Sequence, residues 1–206
     1  MSDEPLTDGA ADEQLLARIA AGDATALSVL FRRRQADVYR VAMLMTGSAA
    51  AAEDVTQDVF LAVMRDVSRF DSGRGSVMAW LCGIARNHAR RRLERDRRMR
   101  PLPDQSESLP GEAVIEADPL REMSNAEQIE SLRRAVLTLP VRYREAVVLC
   151  DLQELSYADA ADALECSIGT VRSRLHRGRQ LLTAKMHAHD GAATVATAKR
   201  ISRCLA

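Results

Sequence analysis

Residues 155–182 read LSYADAADALECSIGTVRSRLHRGRQLL, and this stretch decides the fold. Ser156 stands where it can cap a short helix over 157–164, and Ser167 where it can cap a second one running through Leu182. Glu165-Cys166 between them reads as a tight turn. Ala160, Ala161 and Leu164 can meet Val171, Leu175 and Leu182, and the small alanines permit the close crossing of a helix-turn-helix. The second helix then presents Arg172, Ser173, Arg174, His176 and Arg177 in its N-terminal half, where a recognition helix meets the major groove. Arg reads guanine edges, and Ser and His contact bases or phosphates.

Working upstream, helical spacing recurs at Ile129, Leu132, Ala135, Val136 and Leu139, and again over 143–152, with Pro140 between the two helices. Pro101, Pro103, Pro110 and Pro119 break any regular element over 101–120, so 101–125 reads as an acidic extended linker. Before it, three apolar faces lie between Glu13 and Met45, with Asp23 as an N-cap after Gly22 and a stop at Thr46-Gly47-Ser48. A further helix spans about 49–67. Phe70–Ser76 is a loop, and Ser76 can cap a helix that carries Val77, Trp80, Leu81 and Ile84 into an arginine-rich block. Trp80 reads as core. No strand pattern is convincing. The fold class is therefore all-α, with two small helical domains joined by the linker. The expected boundaries are an acidic tail over 1–12, a domain over 13–100, the linker, a helix-turn-helix domain over 126–187, and a tail over 188–206 that reads as a short helix or a frayed end.

The chain has 29 basic and 29 acidic residues, but they are segregated. Residues 86–100 carry eight Arg against two acids, 102–130 carry eight acids against Arg121, and 171–185 carry five bases and no acid. Two basic blocks separated by an acidic one suggest two nucleic-acid-facing modules. In the first block Asn87 offers a base edge both a donor and an acceptor, while Arg86, Arg90 and Arg91 can hold a backbone. Reading an unstacked base also needs a pocket wall, which the Phe70–Ser76 loop can supply. On the preceding helix Asp54, Gln57 and Asp58 fall at i, i+3 and i+4 beside Val55 and Phe60, an acidic patch suited to a basic partner.

No P-loop, HExxH or paired Cys/His spacing is present, so no catalytic group, metal site or cofactor is expected. His187 and His189 read as exposed non-ligands. Hydrophobic residues make up 47% of the chain, enough for a core, and no run approaches the roughly 18 apolar residues of a membrane span. The acidic N-terminus does not read as a secretory signal. Four widely spaced cysteines (Cys82, Cys150, Cys166, Cys204) point to a reducing compartment, hence the cytoplasm.

Residues 139–182 resemble the promoter-binding C-terminal domain of bacterial RNA polymerase sigma factors. AEDVTQDVFLAV (52–63) resembles that family's polymerase-binding helix, and FDSGRGSVMAWLCGIARNHARRRLERDRR (70–98) its melting and minus-ten-reading segment. The order and the short linker resemble the small extracytoplasmic-function group. The resemblance implies a non-enzymatic subunit that binds core RNA polymerase through Asp54, Gln57, Asp58 and Phe60. It implies that Asn87, Arg86, Arg90 and Arg91 read the downstream promoter element and that Arg172, Ser173, Arg174, His176 and Arg177 read the upstream (minus-35) element. It further implies a stress or envelope regulon and control by an anti-sigma factor. Cys166-Ser167-Ile168 departs from the Val/Pro pair common at that turn. A free-standing duplex-binding regulator would use the helix-turn-helix but leave residues 52–63 and the Asn87 block idle.

Overall fold

A computed structural model describes the backbone of residues 11–99 and 125–204, with side chains over 11–96, at 98 and over 129–186. Most of the expected acidic tail and most of the expected linker lie outside the described residues.

Each helix begins and ends where local chemistry dictates. α1 (Asp12–Ala20) is followed by Gly22 at φ 90°, which lets the chain reverse into α2 (Ala24–Thr46). Asp23 caps α2, accepting from the amides of Thr25 and Ala26. The Ala26 amide, with Arg18 and the Thr25 amide, holds the Asp23 carboxyl below the usual carboxylate range. Gly47, in the left-handed region, closes α2, and Ser48 caps α3 (Ala49–Asp66). A 3-10 turn, Val67–Arg69, leads to the loop, and Ser76 Oγ accepts from the Ala79 amide at the start of α4 (Val77–Met99).

The second half holds α5 (Asn125–Leu137), α6 (Val141–Val147), a π-turn (Val148–Leu152), α7 (Tyr157–Ala163) and α8 (Ile168–Cys204). α7 ends in a Schellman arrangement, with Cys166 N donating to Ala161 O and Glu165 N to Asp162 O, and Glu165 sits at φ 52°. α8 runs far beyond the expected stop near Leu182. One Gly in a helix costs only about 1 kcal/mol, and the Ala-rich stretch around Gly191 continues the helix to Cys204.

The core is built from short aliphatics. Leu15, Leu30, Val38, Val41, Val55, Val59, Val63 and Leu81 fill the first half, while Val136, Leu139, Leu149, Val171 and Leu175 fill the second. The two fillings are contiguous. α7 lies across α4, and α5 and α6 reach α2. Trp80 is partly buried, its ring 5.5 Å from Phe70. The Arg144 guanidinium donates to Met45 O (2.7 Å) and Leu139 O (3.1 Å), joining α6 to the end of α2.

Candidate nucleic-acid interface

Ser167 Oγ accepts from the Thr170 amide at 3.2 Å and fixes the start of α8. From that anchor the helix buries Val171 and Leu175 in the same cluster as Ala160 and Ala161 of α7 and Leu164 at its end. Helical geometry then forces Arg172, Ser173, His176 and Arg177 outward, and all four are exposed. Arg174 is half-buried, with Nη1 3.9 Å from Cys166 Sγ. The Arg172 guanidinium lies 5.7 Å from the Tyr157 ring centroid. Gln180 joins the row, accepting from Arg177 Nη1 at 3.1 Å and lying 3.0 Å from His176 Nε2. Arg179 makes a two-pronged pair with Asp151, whose hydrogen bond raises the guanidinium's proton affinity further. The result is one open helix face carrying two unobstructed guanidinium groups, a hydroxyl and an imidazole.

Gly178 was not singled out from the sequence. A Cβ there would stand 2.7 Å from Val147 Cγ2 and 3.2 Å from Tyr143 O, so α8 approaches α6 more closely than any other residue allows. The signal was present: an isolated Gly inside a helical pattern usually marks a packing requirement.

The residues expected to read the downstream element stand differently. Asn87 is half-buried, its Oδ1 accepting from Arg86 Nη1 at 3.3 Å. Arg90 and Arg91 are exposed. Arg86, expected to face a nucleic-acid backbone, is instead 5% exposed. Its Nε lies 3.1 Å from Glu145 Oε1, and that carboxylate is itself 2% exposed. Arg90 Nε stands 4.0 Å from the same oxygen. Glu145 was missed, although it shares a stripe with Val141 and Leu149 where an acid is out of place. Asp159 of α7 reaches the start of α4, accepting from the Ser76 amide at 2.9 Å and from Ser156 Oγ at 2.8 Å. Burial pushes its carboxyl up, but the bonds from Ser76 and Ser156 outweigh this and hold it below the usual carboxylate range.

The acidic patch on α3 divides in two. Asp54 pairs with Arg92, and Asp58 with His88 at 3.2 Å, both across to α4. Gln57 and Phe60 turn the other way, towards α2. Phe60 is 5% exposed and packs edge-on to Phe31 at 4.8 Å, so it forms the floor of a groove and not a protruding contact. Tyr39, Leu61 and Met64 complete an apolar channel of about 1050 Å³ between α2 and α3. Leu61 and Met64 are 48% and 56% exposed, unusual for large apolar side chains on one face.

Among the described residues no group of three His, Cys, Asp or Glu could hold a metal ion, and no helix is long and apolar enough to cross a membrane.

A capped recognition helix in one half and a basic helix in the other define a two-module helix-turn-helix protein. The Sigma-70 region 2 family model matches residues 30–99, and the Sigma-70 region 4 model matches 129–182. The chain is 32% identical over 184 residues to the ECF RNA polymerase sigma-E factor of Escherichia coli, covering 85% of this chain and 94% of that one. It is 31% identical to the ECF RNA polymerase sigma factor SigC of Mycobacterium tuberculosis, covering 90% and 98%. To SigE of Mycolicibacterium smegmatis it is 36% identical, over 83% of this chain and 66% of that longer relative. Among solved structures, CnrH in complex with the cytosolic domain of CnrY superposes with a TM-score of 0.64 at 26% identity, over 87% of this chain and 99% of CnrH. The chain belongs to the extracytoplasmic-function (ECF) group of RNA polymerase sigma factors.

Proposed function

We propose that the chain is a non-enzymatic specificity subunit that works in the cytoplasm and directs core RNA polymerase to a set of promoters. The N-terminal module, residues 13–100, docks on polymerase with the α2–α3 groove and the neighbouring Asp54, Gln57 and Asp58. Loop 70–76 and α4 then take up the melted downstream element, with Asn87 at a base edge and Arg90 and Arg91 on phosphates. The module over 126–187 sets α8 in the major groove of the upstream element, with Arg172, Ser173, His176 and Arg177 towards the DNA and Arg174 at its margin. The anionic segment 101–125 tethers the two. The exposed row on α8, in a chain that also carries the sigma region 2 match, is the observation that carries this reading. An anti-sigma protein is the regulatory partner this reading adds, as the resemblance to the ECF group implies; CnrH itself was solved in complex with the cytosolic domain of a second protein, CnrY. The genes it serves are of the stress or envelope type.

The experiment is transcription with purified core polymerase on promoters mapped from transcript starts after overexpression. Asp54→Arg is expected to lose polymerase in a pull-down. Asn87→Ala is expected to keep polymerase but lose permanganate-detected melting. Loss of polymerase by both variants alike would refute this division of labour. Tight promoter binding without polymerase would favour the free-standing regulator.

A further inference from the structure

Gln180 stands one turn beyond His176 and Arg177 on α8, at i+4 and i+3, and all three side chains are exposed. Side chains on a helix lean towards its N-terminus, so that of Gln180 lies over the turn carrying the other two. Both ends of its amide are engaged there. Arg177 Nη1 donates to Gln180 Oε1 at 3.1 Å, and Gln180 Nε2 lies 3.0 Å from His176 Nε2.

The chemistry of the three groups fixes the proton on the imidazole. A guanidinium can only donate, so the amide atom facing Arg177 is the oxygen, and the NH2 group faces His176. That NH2 group also can only donate, so His176 Nε2 accepts. A ring nitrogen that accepts carries no proton. The imidazole is therefore neutral with its proton on Nδ1, the form that a histidine free in water adopts less often. An imidazolium, protonated at both nitrogens, would break the contact.

The consequence reaches the DNA. With Nε2 occupied, the polar atom His176 has left is a donor, Nδ1–H. It matches the acceptors O6 and N7 of guanine or O4 of thymine, and it meets donor with donor at the amino group that cytosine presents in the major groove. The opposite tautomer would offer an acceptor and invert that preference. Arg177 has five N–H donors and gives one to Gln180, so a fork remains for a guanine edge. Holding one end of that long side chain orders it before DNA arrives, which lowers the cost of binding.

We infer that Gln180 is a positioning residue for upstream-element recognition, which holds His176 as an Nδ1–H donor towards a guanine or thymine edge and aligns the Arg177 guanidinium beside it. The inference rests on the sigma-factor reading above and deepens it by naming what sets the specificity of two recognition side chains. Were Gln180 only a surface residue, its i,i+3 and i,i+4 pairs would add a little helix stability and leave base preference alone.

Two variants and a spectroscopic readout separate these roles. Gln180→Leu removes both contacts at similar volume, at an exposed position. Gln180→Glu keeps an acceptor for Arg177 but, when ionised, has no donor, so His176 Nε2 must then carry a proton to keep its contact. In nitrogen NMR of the full-length chain at pH about 8, above the ordinary histidine range, wild-type His176 is expected to show a protonated Nδ1 and a bare Nε2. Both variants are expected to shift the proton to Nε2. His176→Gln assigns the signals among the four histidines of the chain. With holoenzyme on a promoter library varied across the upstream element, Gln180→Leu is expected to lose discrimination severalfold at two base pairs. Gln180→Glu is expected to keep the preference set by Arg177 and to lose that against cytosine at the base pair facing His176. Unchanged preference in Gln180→Leu, or an Nδ1 equally protonated with and without Gln180, would overturn the inference. If the wild-type holoenzyme fails to start from mapped promoters, the sigma-factor reading fails, and the nitrogen signals still decide whether Gln180 sets the tautomer.

Discussion

Gly178 shows how one hydrogen sets a helix crossing. Replacing Gly by Ala in a helix is worth up to about 1 kcal/mol in intrinsic propensity. Here the new methyl would meet Val147 Cγ2 at 2.7 Å and a backbone oxygen, Tyr143 O, at 3.2 Å. Overpacking of that kind typically costs 1–3 kcal/mol. Gly178→Ala is therefore expected to lower stability by about 1–2 kcal/mol, read as a fall in the denaturant midpoint. Combining it with Val147→Ala, which removes the flexible half of the clash, should recover part of the loss beyond simple additivity. The cysteines supply a pH test. Burial, reinforced by Asp37, pushes the Cys82 thiol up to about 12, and burial beside Asp151 raises Cys150 to about 11. A thiol raised in the folded state favours folding fully at pH values below its ordinary 9.0. That contribution is lost as pH climbs from 9.0 towards 12. Stability attributable to Cys82 should therefore be flat between neutrality and 9.0 and then fall, a slope that Cys82→Ala lacks. Alkylation of native Cys82 at neutral pH should be slow compared with that of the unfolded chain.

Helices and their ends were the most legible part of the sequence. Asp23, Ser76, Ser156 and Ser167 all accept from helix-start amides, because a short polar side chain before an apolar-periodic run has few other uses, and Ser48, read only as part of a stop, caps α3 in the same way. The outward row on α8 was legible for the same reason, since a capped start and two buried positions set the phase of the whole helix. What periodicity could not show was contact between distant helices. Arg86 looked like a member of a solvated basic run, and only the approach of α6 reveals its partner Glu145. Phe60 looked like part of an acidic surface patch, and only the placement of α2 turns it into a groove floor. The exposed phase of α8 supports a test of its own. Arg172→Ala or Arg177→Ala should cost about 1–3 kcal/mol in upstream-element recognition and relax preference at one base pair. Measured with holoenzyme on a library varied across that element, unchanged preference in both variants would mean that α8 does not dock by this face. Folding should be unaffected, because both side chains are exposed.

At the scale of the whole molecule, the balance of charge predicts weak DNA binding by the chain alone. Residues 127–187 carry nine bases and eight acids, a net of +1. The structure shows that several of those bases are engaged elsewhere. Arg144 donates to backbone carbonyls, Arg179 pairs with Asp151, and Arg174 is half-buried near Cys166. The cations that α8 offers to a duplex are Arg172, Arg177 and Lys185 with partial help from Arg174, so about three or four phosphates are neutralised. With a slope near −0.9 per phosphate in log salt, affinity should fall roughly a hundredfold between 50 and 200 mM salt. The acidic stretch between the modules adds repulsion that a Debye length of about 8 Å only partly screens. The second reading surface contributes little, because its substrate, an unpaired strand, must first be melted at a cost of several kcal/mol. Polymerase can change all three terms by holding the modules apart at fixed spacing, which turns the second contact into an effectively intramolecular one. The free chain is therefore expected to bind promoter duplex no tighter than micromolar at physiological salt, with little preference over unrelated DNA, and the holoenzyme to bind it at nanomolar concentration. A titration of labelled promoter with and without core polymerase, repeated across salt, checks both halves. Nanomolar, sequence-specific binding by the isolated chain would show that α8 needs no help from polymerase and would favour the free-standing regulator.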